Sequence, residues 1–312
     1  MRYSLLIVVL AALLPLGVRA QYDPSFSHYW AMETSFNPAA AGKDPVLNVT
    51  GAYNMTLTGF ENSPKTMFIS GDMPLYLLGG NHGVGLQIVN DEIGLFSHKK
   101  VSGQYALKKR LLGGMLSVGL QAGLLSEQFK GSGVKTEQDN DPAFSKSDVT
   151  GTGFDLGLGL YYKYRDLWYA GVSAQHLTSP SVELGETNEL NITPSYYLTG
   201  GYNIRLRNPF FTIQTSVLGR SDGVAYRGDI TARVKYSHEK RVMYAGLSYS
   251  PTNSVSLLVG GFFHGIMVGY CYEAYTGAIS LGNGGHELFV GYQTDVNFGK
   301  KGRNRHQSVR IL

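Results

Sequence analysis

The chain has 312 residues with 40 Gly, 21 Tyr and 14 Phe, 16% charged residues, one Cys and a formal charge of +4. A lone Cys271 excludes an intramolecular disulfide framework, and so modest a charge is no nucleic-acid signature. Past the N-terminus no apolar run approaches the ~18 residues of a transmembrane helix, and the mean hydropathy of −0.10 does not argue for solubility, because alternating strands average to about zero.

Chain order begins with a leader. Met1-Arg2 precedes an apolar run, Leu5–Leu14, and a Val18-x-Ala20 end, which reads as a secretory signal peptide over 1–20. The next segment, 21–45, is aromatic and Pro-punctuated, with Tyr22, Phe26, Tyr29, Trp30 and Phe36. It is expected as a plug-like piece packed in or under the rest, or else as a loose periplasmic lead.

From residue 46 the pattern changes to period two. Strands are expected near 46–57, 65–77, 82–91, 97–108, 114–125, 153–164, 167–177, 194–206, 209–220, 225–236, 241–250, 254–263, 265–274 and 286–298. The connections sort by parity. The long ones, 126–152, 178–193 and 275–285, fall on one side of the meander, and tight turns such as "RD" and "RN" dominate the other. Outer-membrane barrels have this asymmetry. The fold class is therefore all-β, an up-and-down antiparallel transmembrane barrel of about fourteen strands over 46–298.

The two faces differ in chemistry. Val84/Leu86/Ile88, Leu116/Val118/Leu120/Ala122/Leu124, Val255/Leu257/Val259 and Leu288/Val290/Tyr292 alternate onto an apolar side. The other side collects Asp155, Lys163, Arg227, Asp229, Arg233, Lys235, Glu273, Glu287 and Asp295, the candidate lumen-facing set. Four charges on one face of "AYRGDITARVKY" could not enter a sandwich core unpaired and fit a wet or mutually paired lumen; a soluble sandwich is the alternative, since half-solvated antiparallel sheets also alternate. A charge at Leu120 is expected to be costly, and Gly119→Ser on the inner side of the same strand to be mild.

Catalytic constellations are lacking. "HELFV" at 286–290 has no second His and lies in a strand pattern. The acidic stretch 137–144, "EQDNDPAF", has carboxylates for Ca²⁺ but not the Gly and terminal Glu of an EF-hand loop. Ser173 and His176 fall on opposite faces of their strand, which disfavours a hydrolase. No enzyme activity, metal or cofactor is expected.

Several motifs, in order, carry a resemblance: "QYDPSFSHYW…SFNPAAAG", "DPAF", "YAGVSAQHL", "YAGLSYSP", "VGYCYE" and "GGHELFVGY". Together they resemble the PorP/SprF family of Bacteroidetes outer-membrane proteins. The resemblance implies a barrel of type IX secretion and gliding motility, supporting secretion or surface anchoring of a secreted adhesin with a type IX sorting domain, and it brings no catalytic residues. The alternative is a passive channel for small solutes.

Fourteen strands would leave both termini in the periplasm and the long loops outside. The candidate cargo contacts are then Asp139, Asp141 and Phe144 in the longest loop. The basic tail over 299–312, with Lys300, Lys301, Arg303 and Arg305, would face periplasmic secretion or motility machinery by charge, or be a solvated end. The surrounding partner is outer-membrane lipid.

Overall fold

Strict alternation gives every strand one face suited to lipid, and a sheet placed in lipid has to close on itself to leave no open edge. The computed structural model describes residues 22–133, 148–184, 188–239, 241–251, 253–277 and 283–295, and in them the sheet closes. Its strands are β1 (Val46–Met55), β2 (Lys65–Leu77), β3 (Gly80–Ile93), β4 (Phe96–Leu111), β5 (Gly114–Phe129), β6 (Val149–Tyr164) and β7 (Trp168–Gln175). A separate hairpin follows, β8 (Ser181–Leu184) with β9 (Asn188–Asn191). The barrel resumes with β10 (Ser195–Arg205), β11 (Phe211–Ser221), β12 (Tyr226–His238), β13 (Arg241–Ser250), β14 (Ser254–Phe263), β15 (Ile266–Tyr275) and β16 (Gly285–Asp295). Neighbours pair antiparallel in chain order, β7 with β10 across the hairpin. β16 closes on β1 in the register Val46↔Asp295 to Met55↔His286.

The barrel thus has the expected number and order of strands, with two differences. β3 to β6 run longer than the pattern suggests, and the long connection after β7 folds as the β8–β9 hairpin. The two go together. Val182, Leu184 and Ile192 cover Leu125 near the end of β5, so the extended wall and the hairpin bury one another's apolar side chains. On the barrel's outside the apolar face is exposed throughout, with Leu86 at 70% and Leu124 at 64%.

The tight turns follow hairpin chemistry. Leu78-Gly79 joins β2 to β3, and Leu112-Gly113 joins β4 to β5. Both residues of each turn have positive φ, near 50° for the leucines and 80° for the glycines. This is the primed turn that matches strand twist, and it explains the repeated "LLGG".

Residues 22–45 lie within the barrel as a plug. Tyr22 sits at the long-loop end against His98 and His176. The segment descends through two 3₁₀ turns, Glu33–Ser35 and Pro38–Ala40, to Asp44 beside Lys163 at the short-turn end, where β1 starts. A segment without a sheet partner has to satisfy its backbone on side chains. A glutamine network on β3, β4, β5 and β7 does part of this. Gln104 donates to the Thr34 carbonyl (2.7 Å) and Gln175 to the Phe36 carbonyl (2.9 Å), while Gln87, Gln104, Gln121 and Gln175 bond to one another. Ser173 also donates to Phe36 (2.7 Å), and the Gly42 N–H donates to Asp72 (2.7 Å).

The plug also explains the inward glycines. A Cβ at Gly119 would stand 2.2 Å from the Ala39 nitrogen, and one at Gly159 would stand 2.1 Å from the Asn37 side chain. The expectation that Gly119→Ser is mild is therefore overturned. That position faces plug backbone, not water.

Candidate functional site in the plugged lumen

Charge is concentrated where the plug meets the wall. Asp155 on β6 is fully buried, with Lys100 Nζ at 3.1 Å and His176 Nδ1 at 3.2 Å. These are ion-pair contacts, not aligned hydrogen bonds. The other ring nitrogen of His176, Nε2, lies 3.0 Å from Asp23 of the plug, and the Tyr197 hydroxyl donates to the same carboxylate. Burial alone would raise the Asp23 carboxyl, but His176 and Lys100 outweigh it and hold it far below the usual carboxylate range. Burial likewise works against a charged His176, yet Asp23 and Asp155 hold it up at about 9. Alternation had put His176 outside. Its φ of 56° breaks the alternation just past β7 and turns the ring inward, so Ser173 and His176 are both buried inside.

Beside this cluster Glu127 takes bonds from Tyr22 and His98. A third grip lies on β16. Glu287 accepts from the backbone N–H of Ser27 (2.7 Å) and of His28 (2.9 Å), and faces His28 Nδ1 at 2.5 Å. On the neighbouring wall Arg227 reaches Asp229 (3.2 Å), Glu273 (3.6 Å) and the Ser25 hydroxyl (3.3 Å), and Arg220 meets Asp229 and the Pro24 carbonyl. Each buried carboxylate thus has a cation or donor, as burial of charge requires.

Lys163 and Lys235 stand lower, around a cavity at the short-turn end, with Arg233 stacked on Trp30 of the plug. Lys163 pairs with Asp44 at 2.8 Å. Asp295 is exposed at the end of β16. The structure therefore brings Arg227 and Glu287 into direct contact with the plug near its upper end and sets Asp155, Asp229 and Glu273 against the wall cations beside them, while Lys163, Arg233 and Lys235 form a second group around the lower cavity. Asp139, Asp141, Phe144, Lys300, Lys301, Arg303 and Arg305 lie outside the described residues.

The plug partners Asp23, His28 and Glu33 were not singled out from sequence, nor were Lys100, His98 and Glu127 on the wall. Lys100 was open to the same reading as Asp155, since His98, Lys100, Ser102 and Gln104 share the inward parity of β4. The plug residues carry no period to read. Among the described residues no cluster of His, Cys, Asp and Glu has the arrangement of a metal site.

A closed antiparallel barrel with an apolar outside and a charged, filled lumen is an outer-membrane barrel. A solved structure titled "CymD monoaromatic hydrocarbon channel" aligns with a TM-score of 0.54 at 11% identity, over 90% of this chain and 95% of that one. A Pseudomonas aeruginosa FadL homologue aligns at 0.49 with 11% identity (83% and 92%), and the Ralstonia pickettii toluene transporter TbuX at 0.48 with 13% (90% and 96%). No curated protein matches the sequence. The family described as "Type IX secretion system membrane protein PorP/SprF" matches residues 18–292. The chain belongs to that family.

Proposed function

We propose that this barrel acts in type IX secretion by protein–protein interaction, supporting secretion of a partner adhesin or holding it at the cell surface. The observation that carries this reading is the filled lumen. A plug fixed by buried ion pairs at its upper end and hydrogen-bonded along its length is poorly suited to free solute passage, which leaves the loops and rims as working surfaces. Pull-down of the tagged barrel from native membranes tests it. A secreted protein and periplasmic machinery are expected to co-purify, and single-channel recordings of the purified barrel should stay near baseline. Steady conductance without co-purifying proteins would favour the passive channel.

In this reading the long loops face outward and both ends of the barrel domain meet the periplasm. Tags inserted near Ser132 and Gly185 should be labelled on intact cells. Labelling only after the outer membrane is opened would reverse the orientation. The basic tail, in turn, is assigned to machinery. Deleting 300–312 leaves β1 to β16 intact, so the barrel should insert and keep its cargo while losing periplasmic partners, an attachment that salt also weakens. Unchanged co-purification would leave the anchoring role to the loops, with Asp139, Asp141 and Phe144 as contacts.

A further inference from the structure

At the short-turn end, wall and plug line a partly open cavity of about 470 Å³. One side of it is built around Trp30. Arg233 on β12 lies over the indole, its Cζ 3.3 Å from the ring centre, and Tyr244 on β13 meets the same indole edge-on at 5.3 Å. Missing side chains make the room. A Cβ at Gly246 would stand 2.5 Å from the Arg233 stem, and one at Gly260 would stand 2.4 Å from the Tyr244 hydroxyl. Stacking on an indole holds the guanidinium plane without using its N–H groups.

Those groups are left over. Arg233 and Tyr244 are only 6% and 8% exposed. Even so, Arg233 Nε, the Tyr244 hydroxyl and Trp30 Nε1 have no hydrogen-bond partner among the described residues. Buried donors are seldom left so. Lys235, directly across the β12–β13 ladder from Tyr244, lines the same cavity and forms no ion pair among the described residues. None of the nearby carboxylates pairs with Arg233 or Lys235, although Glu33 Oε1 has no hydrogen-bond partner of its own among the described residues. Glu33 takes Lys43 at 2.5 Å and the Tyr161 hydroxyl at 3.0 Å through one oxygen, while Asp44 and Asp166 both face Lys163.

We infer that this cavity is a binding site for a carboxylate-bearing ligand with an apolar or aromatic body. The carboxylate meets Arg233, Tyr244 and Lys235, and the body lies against Trp30, Phe262 and Met267. A planar monoanion suits a guanidinium edge. A dianion such as phosphate is disfavoured by Glu33 and Asp44 in the same cavity. The carboxylate has two sources, a small organic acid or an acidic side chain of a peptide entering from the short-turn end.

Calorimetry on the full-length barrel in detergent tests this with benzoate, its neutral analogue benzamide, and a capped peptide carrying one Phe-Asp pair. Benzoate is expected to saturate and to bind about tenfold tighter than benzamide. Arg233→Gln should weaken benzoate about tenfold and Tyr244→Phe about threefold, with the heat-modifiable gel mobility of the folded barrel retained. If Arg233→Gln fails to fold, Lys235→Gln serves, with about a threefold loss expected. Peptide binding tighter than benzoate assigns the site to a protein partner, and weaker binding assigns it to a free acid. Equal binding of benzoate and benzamide overturns the proposal, as does benzoate affinity unchanged in a folded Arg233→Gln or Lys235→Gln barrel.

Discussion

Leu120→Arg is expected to destabilise the barrel by about 2–4 kcal/mol, the cost of a guanidinium near the middle of a lipid-facing strand. Leu120 is exposed on β5 and faces outward with Val118 and Leu124. Its neighbour Gly119 points the other way, and the expected result there differs in kind. A serine at 119 places its Cβ 2.2 Å from the Ala39 nitrogen, and backbone cannot step aside as a side-chain tip can. The wall strands keep all their ladder bonds, so Gly119→Ser should yield a folded barrel with a displaced plug. Denaturant titration of the refolded variants reads the first effect. Limited proteolysis of 22–45 reads the second, with faster cleavage in Gly119→Ser and not in a folded Leu120→Arg barrel. Equal cleavage in both would mean that the plug does not press on Gly119.

The sequence carried the wall almost entirely, and of the plug it carried the segment but hardly any of the contacts. Phe154, Leu158 and Leu160 alternate with Asp155, Gly157 and Gly159 along β6, and lipid on one side makes that alternation strict. The inner side was harder to read because its partner is the chain's own N-terminal segment. Gly119 and Gly159 look like permissive lumen positions until Asn37, Pro38 and Ala39 are placed against them. The small-residue run "NPAAAG" (37–42) was legible as a motif, but its reason, close approach to a glycine-lined wall, is a tertiary fact. His176 failed for a local reason. One left-handed residue reverses the face of a side chain, and nothing in "QHLTSP" (175–180) marks it as the point where alternation ends. The β8–β9 hairpin is two four-residue strands, too short for a period to show.

The cluster at the long-loop end gives the last prediction. Asp155→Ala strands Lys100, which is 4% exposed, and takes from His176 one of its two carboxylates. Removing one partner of a buried pair costs about 3–5 kcal/mol, mostly as uncompensated charge. Asp155→Asn keeps the volume and should cost less, and Lys100→Met combined with Asp155→Leu should recover much of the loss. Titration has a fixed sign here. Asp23 is held below its ordinary 3.8, so its contribution is present above that value and fades as the pH falls through the lowered one. His176 is held up at about 9 from 6.5, so its contribution is full below 6.5 and is lost as the pH rises through 9. The plug should therefore sit most firmly between about pH 4 and 6.5 and loosen above pH 9. Thiol labelling of Ser35→Cys, half-buried in the plug, reads this, with the buried Cys271 as an internal silent control. Labelling should accelerate above pH 9 in the otherwise native chain. In Asp155→Ala it should already be fast at pH 7, because His176, with one of the two carboxylates that keep it charged removed, grips Asp23 less firmly. A flat pH profile with slow labelling in both would show that the hydrogen bonds lower down, on Gln104, Gln175 and Glu287, hold the plug without the cluster above them.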